Sequence, residues 1–248
     1  MARLGVFDLS VRYGKVPALM DVSLHLDEGE RLFVAGPNGA GKSSLLKAIS
    51  GAVPTTHGRI EMDGELLSGR APENIARLGL SMVPEGREIF GTLSVEENLR
   101  VGTGIRRDYQ AIAEDMQEIY QSFPVLHERR HTSAGDLSGG QQQMLAIGRA
   151  LMTNPKLLMV DEPSLGLAPN IVDQVYDTLI ALQKARGLTL LIVEQSSVRA
   201  ARVGGRMVVL RGGKVVATGD AGEFAESDLL NEAYFGQSKA PSGAETHR

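Results

Sequence analysis

The sequence predicts an α/β fold in which a mainly parallel sheet carries an antiparallel β subdomain and a helical subdomain. Three observations predict it. Near the start, Val6, Phe7, Leu9 and Val11, then Val22, Leu24 and Leu26, follow the period-two spacing of strands. In the middle third, Ile112, Met116, Ile119 and Phe123 recur at helical spacing. From Lys156 onward, short apolar runs alternate with helical segments, which is the rhythm of a parallel sheet.

The elements follow in order. The first two alternating runs read as antiparallel strands. Glu30 to Ala35 is an apolar strand that ends in a glycine loop, and Lys42 to Ser50 reads as a helix closed by Gly51. Gly58 to Met62 and Glu65 to Leu67 flank Asp63-Gly64, a hairpin turn signal. Ser94 and Glu97 have the spacing of a capping box and open a helix; Pro124 stops the later helical run. Leu157 to Val160 is a strand, Pro169 to Arg186 a helix ended by Gly187, and Leu188 to Val193 a strand. Met207 to Leu210 and Val215 to Ala217 close around Gly212-Gly213 as a hairpin. Residues 1–236 read as a single domain with a helical subdomain of about 86–150 inserted, and 237–248 as a disordered tail. There is no internal repeat.

Composition excludes several functions. With 26 Lys and Arg against 30 Asp and Glu, the net charge is −4, so no basic excess exists to attract a nucleic-acid backbone. The absence of cysteine rules out disulfides, zinc-thiolate clusters and a thiol nucleophile, and suits a reducing compartment. The longest apolar runs, Leu157 to Val160 and Leu190 to Val193, fall far short of the roughly 18 residues of a membrane-spanning helix. Met1 to Ser10 lacks a secretory signal, which points to the cytosol. The five histidines have no i, i+4 pairing, so a histidine metal site is not expected. Arg129-Arg130-His131 reads as a solvated face, and Met144, Met152 and Met159 as core fillers.

The residues that carry chemistry begin with Gly36-Pro37-Asn38-Gly39-Ala40-Gly41-Lys42-Ser43, followed by Ser44, which fits a phosphate loop between a strand and a helix. Glycines there turn backbone N–H groups toward phosphates, and the positive end of the following helix adds to that field. Lys42 supplies a mobile charge and Ser43 a hydroxyl for Mg²⁺. Next comes an apolar strand ending in Asp161 and Glu162. Alone, such a pair reads equally as a solvated turn; beside a phosphate loop, Asp161 can hold Mg²⁺ and Glu162 can deprotonate a water attacking the γ-phosphate. Third, Leu137-Ser138-Gly139-Gly140-Gln141 places Ser138 as an N-cap with Gln141 at the capping-box position. In isolation this is an ordinary capped helix; its two glycines leave the helix terminus open to an anion.

These motifs in this order resemble the ATP-binding subunits of ABC transporters, from Val6 to about Gly236. The resemblance implies a P-loop ATPase core that binds ATP and Mg²⁺. It implies that Ser138, Gly139, Gly140 and Gln141 form the signature motif, which completes the nucleotide site of an opposite subunit in a head-to-tail dimer. Tyr13 matches the family's adenine-stacking aromatic. Three positions depart from the common pattern: Glu85 stands at the Q-loop glutamine, where it would touch Mg²⁺ and the attacking water; Gln195 stands at the switch histidine; Ala168 replaces the D-loop acid.

Those departures, with Val-Pro-Glu-Gly-Arg, Asp-Glu-Pro-Ser-Leu-Gly-Leu-Ala-Pro and Val-Glu-Gln, look like the LivF-type subunits of branched-chain amino acid importers; relatives serving urea and short amides look similar. The implied assembly is a homodimer or a heterodimer with a paralogous ATPase subunit. It sits on the inner face of the cell membrane with two permeases and, indirectly, a solute-binding protein. Glu85 to about Leu99 would contact the permease. A soluble ATP-dependent switch, or nucleotide binding without turnover, are the alternative readings.

Overall fold

The computed structural model describes residues 2–195 and 197–226. The tail expected to be disordered, 237–248, lies outside them, as do residues 227–236. The chain starts with β1 (Ala2–Tyr13), β2 (Val16–Asp27) and β3 (Arg31–Ala35), then α1 (Lys42–Ile49), β4 (His57–Met62), β5 (Glu65–Leu66), α2 (Pro72–Arg77) and β6 (Leu80–Val83). A helical stretch follows: α3 (Val95–Val101), α4 (Tyr109–Ser122), α5 (Pro124–Glu128), a 3₁₀ turn (Ala134–Asp136) and α6 (Gly139–Leu151). The chain then runs through β7 (Leu157–Asp161), α7 (Pro169–Arg186), β8 (Thr189–Glu194), α8 (Ser197–Val203), β9 (Arg206–Arg211), β10 (Lys214–Asp220) and α9 (Ala221–Glu226).

Two sheets result. One is antiparallel, in the order β2-β1-β4-β5; the other runs β10-β9-β3-β8-β7-β6 and is parallel except for β10. Every residue of β7 and β8 is buried, as a parallel sheet covered on both faces requires. Alternate residues of β3 enter different cores. Leu32 and Val34 join Val6, Leu24 and Leu45 on the side of the antiparallel sheet and α1, while Phe33 and Ala35 join Leu99, Met144 and Tyr176 on the side of the helices. Met144, Met152 and Met159 are all buried.

Two kinds of element were not anticipated by hydrophobic pattern, the short strand β6 and the short helices α2, α8 and α9. A third difference concerns Pro124, which both ends a helix and starts one. It stands at the first position of α5, where its missing N–H would have had no intrahelical partner anyway, and the fully buried Phe123 forms the pivot from α4. Arg186 at the end of α7 pairs with Asp115 (3.1 Å) and Glu118 (2.6 Å), fastening α4 to the strand-and-helix region.

Candidate functional site

Four parallel strands deliver the site. Val83 pairs with Val160, Asp161 with Val193 and Ala35 with Glu194, so β6, β7, β8 and β3 end in one row. The residues just beyond those ends, Glu85, Glu162, Gln195 and the loop from Gly36, therefore meet at one edge, outside the carboxyl ends of the strands where open α/β sheets bind ligands. There they line a cavity of about 340 Å³ with Ala18, Asn38, Gly39, Ala40, Gly41, Lys42, Ser43 and Ser44.

The loop between β3 and α1 is held open by backbone. Gly213 N–H donates to the Ala40 carbonyl (3.0 Å), and Met20 N–H to that of Gly213 (2.8 Å), tying the loop to the β9–β10 hairpin and to β2. At Gly36 a Cβ would fall 2.2 Å from the Leu210 carbonyl oxygen. Gly41 has a φ of 105° and would drive a Cβ to 2.7 Å from the Ala18 carbonyl. It occupies the N-cap position of α1 without a side-chain cap, so the first-turn N–H groups of that helix are left to an anion. Lys42 is buried, and its Nζ donates to the Gly36 carbonyl (2.9 Å) and the Pro37 carbonyl (3.3 Å) and lies 3.6 Å from Glu162 Oε1.

Across the cavity, the Gln195 amide donates to Glu162 Oε2 (2.8 Å), and the Glu162 N–H donates to the Val193 carbonyl (3.0 Å). Glu162 is held at a φ of 48°, a strained conformation for a residue with a side chain. Burial pushes the Asp161 carboxyl up to about 6; the Ser43 hydroxyl beside it works the other way, and the charges of Glu162 and Glu85 add to the rise. Its Oδ1 is buried without a hydrogen-bond partner among the described residues. Just behind this cluster, the buried Glu194 accepts from Tyr176 Oη (2.6 Å) and Ser164 Oγ (3.0 Å). Burial raises its carboxyl above the usual carboxylate range, and those two hydrogen bonds, the Arg199 charge and the Gln195 N–H pull it back.

The structure thus gathers Lys42, Ser43, Ser44, Glu85, Glu162 and Gln195 with the loop, and sets Asp161 beside them. It does not gather all the residues the sequence singles out. Ser138, Gly139, Gly140 and Gln141 do not line the cavity; they form the start of α6, where the Ser138 hydroxyl accepts from Gln141 N–H and the Gln141 side chain accepts from Ser138 N–H. Arg87 lies against this terminus, with its guanidinium about 3.2 Å from where a Gly139 Cβ would be. Tyr13 sits by the β1–β2 turn, 47% exposed, and is not among the lining residues, whereas Ala18 is. Ala18, Arg87, Ser164 and Glu194 were missed in the sequence. Of these Arg87, Ser164 and Glu194 lie inside the stretches Val-Pro-Glu-Gly-Arg, Asp-Glu-Pro-Ser and Val-Glu-Gln, and Glu194 is also the carboxylate at the end of the apolar run Leu-Ile-Val.

Among the described residues no group of three or more His, Asp or Glu side chains is arranged to hold a metal ion, and no helix is long and apolar enough to cross a membrane. The oxygens that do stand together, Asp161 with its unpartnered Oδ1 and the Ser43 hydroxyl, are the hard donors that suit Mg²⁺ when other oxygens complete its shell.

Comparison with known proteins places this architecture. The family model described as ABC transporter matches residues 19–165. A high-affinity branched-chain amino acid transport ATP-binding protein of Pseudomonas aeruginosa, BraG, is 42% identical over 92% of this chain and 97% of its own length. A probable branched-chain amino acid transport ATP-binding protein of Archaeoglobus fulgidus, LivF, is 32% identical over 92% of this chain and 96% of its own. The ADP conformation of an ATP-binding cassette from an ABC transporter superposes with a TM-score of 0.83 at 26% identity, covering 96% of this chain and all of that one. In fold, in motif order and in sequence, the chain belongs to the ABC transporter family.

Proposed function

We propose that this chain is the ATP-hydrolysing subunit of an importer for branched-chain or other hydrophobic amino acids. The observation that carries the reading is the convergence of Lys42, Glu162 and Gln195 on the phosphate-loop cavity. The resemblance to BraG and LivF proteins supports the cargo.

In this reading the loop N–H groups and the positive end of α1 cradle the phosphates of ATP. Lys42 Nζ leaves the loop carbonyls for the phosphate oxygens. Glu162 takes the proton of the attacking water, a contribution of the order of 10²–10⁴ in rate, while the Gln195 amide keeps that carboxylate aimed. Ser43, Asp161 and Glu85 would hold Mg²⁺, which when bound supplies positive charge against the phosphates. Ser138, Gly139, Gly140 and Gln141 serve the cavity of a second subunit, itself or a paralogue, so closure of a dimer completes two sites. Tyr13 stacks on the adenine. Residues of about 86–150 act as a helical subdomain that passes the closure to two permeases, with Glu85 to about Leu99 at the contact. The subunit then works on the inner face of the membrane, fed by a solute-binding protein.

The test is reconstitution in lipid vesicles with the paralogous ATPase subunit, two permeases and the solute-binding protein. ATP-dependent uptake of leucine is expected. Uptake of urea or a short amide in its place would reassign the cargo, and no ATP turnover in a folded assembly would overturn the enzyme itself.

A further inference from the structure

The buried carboxylate of Glu194 belongs to no step described so far. It ends β8 at 2% exposure, where a carboxylate pays a desolvation penalty that an apolar residue would not. Its partners are what distinguish it. One oxygen accepts from Tyr176 Oη (2.6 Å) and the other from Ser164 Oγ (3.0 Å), and the N–H of Gln195 also hydrogen-bonds to it. Each partner leads back to the cavity. Ser164 lies two residues beyond Glu162 in the turn closed by Leu165 N–H on the Glu162 carbonyl (3.1 Å). Gln195 carries the amide that donates to Glu162 Oε2 (2.8 Å). Tyr176, on α7, stacks against Phe33 of β3 at 6.5 Å between centroids, and β3 leads into the phosphate loop.

From this geometry we infer that Glu194 is a positioning residue, which locks the turn after Glu162 and the backbone of Gln195 into one ring so that the Gln195 amide stays aimed at Glu162. The ring runs Glu162, Gln195, Glu194, Ser164 and back through the chain to Glu162. A glutamine side chain has three freely rotating bonds and no charge, so its own bond to Glu162 does not fix its direction; a neighbour that pins its main chain does. The strained φ of 48° at Glu162 needs the same support, because such a conformation persists only where surrounding contacts over-determine it. The Tyr176–Glu194 bond is buried and the Ser164–Glu194 bond partly so, and a hydrogen-bonded network in such surroundings rigidifies what it joins.

The inference rests on the reading of Glu162 as the group that accepts the water's proton, and the experiment separates the two. Purified protein is assayed for ATP turnover, ATP KM and melting temperature as wild type, Glu162→Gln, Glu194→Ala and Glu194→Gln. Glu194→Ala should lower kcat about 10- to 100-fold with KM changed less than about threefold. Glu194→Gln should recover most of the loss, since its amide can accept from Ser164 and donate to Tyr176. In a Glu162→Gln background, Glu194→Ala should change residual turnover by less than about twofold, which a merely structural role would not predict. Should Glu194→Ala fail to fold, the pair Ser164→Ala and Tyr176→Phe removes two donors while keeping the carboxylate, and a drop in kcat of about three- to tenfold is expected. Unchanged kcat in these variants, or a loss shared equally by KM and unrescued by glutamine, overturns the inference. Full turnover in Glu162→Gln overturns the reading beneath it instead.

Discussion

The phosphate-loop end and the start of α6 are both helix N-termini presented by glycines, yet the chain treats them differently. Around Gly36 to Ser43 it supplies a cavity wall from four strand ends, a buried lysine and three acids at hand. Around Ser138 to Gln141 it supplies a reciprocal cap, an adjacent Arg87 guanidinium and no share in the cavity wall. A cation resting against the positive end of a helix is unfavourable by up to about 1 kcal/mol, and an anion between them would reverse the sign. One terminus is equipped to bind alone; the other gains a use only when something negative is brought to it. The contrast teaches that half of the proposed machinery has to be read against a second copy.

The largest effect follows from that division. Glu162→Gln should reduce ATP turnover about 10²- to 10⁴-fold while nucleotide affinity holds and closed dimer accumulates. Ser138→Arg, which places a bulky cation on the signature terminus, should reduce turnover about 10²- to 10³-fold by removing preorganised stabilisation of the phosphate. Mixing the two inactive proteins discriminates between one-chain and two-chain sites. A dimer with one of each retains one cavity whose Glu162 and opposing Ser138 are both intact, so turnover should return. If titration of one variant into the other restores nothing, the two regions do not act across two copies of this chain.

Much of this contrast was legible in the sequence. Asp161-Glu162 takes its reading from the phosphate loop upstream, whereas Gly36 to Ser43 and Ser138 to Gln141 each carry a local rule, spacing for the first and capping chemistry for the second, and local rules survive without tertiary knowledge. Most strands and helices were legible for the same reason, since their apolar periods are long. β6 was not, because Leu-Ser-Met-Val is too short to show a period, and α2 was not, because six residues beginning with proline resemble a turn. Glu194 was hidden more deeply. Its partners lie 18 and 30 residues away on other elements, and only the fold tells a buried strand-end carboxylate from an exposed one. Arg87 was hidden by its φ of 71°, a conformation that its residue type does not advertise.

A smaller effect sharpens the electrostatic half of the comparison. Asp161 has a folded-state value of about 6 against an ordinary 3.8, so the folded protein holds its proton more tightly than the unfolded chain does. For an acid shifted upward, stability is favoured at low pH and declines as pH rises between about 4 and 6, levelling above that. Two pH units correspond to about 3 kcal/mol. Denaturation in EDTA at pH 4.5 and pH 8 should therefore show wild type losing more stability than Asp161→Asn. At pH 8 the variant should be more stable by about 1–3 kcal/mol and inactive. Parallel pH profiles for the two proteins would mean that the carboxylate is solvated or paired in solution.

The smallest effect tests the rim of the phosphate-loop end. Tyr13 stands by the β1–β2 turn, nearly half exposed and outside the cavity wall, so a base stacked on it would leave one ring face in water. Aromatic contacts of that kind contribute about 0.5–1.5 kcal/mol, which is about two- to tenfold in affinity. Tyr13→Ala should weaken ATP binding by that factor, and Tyr13→Phe should leave it unchanged because the hydroxyl plays no part. A triphosphate without a base, such as inorganic tripolyphosphate, should bind Tyr13→Ala and wild type alike, since its contacts end at the loop. If tripolyphosphate loses as much affinity as ATP does, Tyr13 acts by holding β1 and β2 against the loop through Met20 and Gly213, and the ring is part of the cradle's support and not of its adenine face.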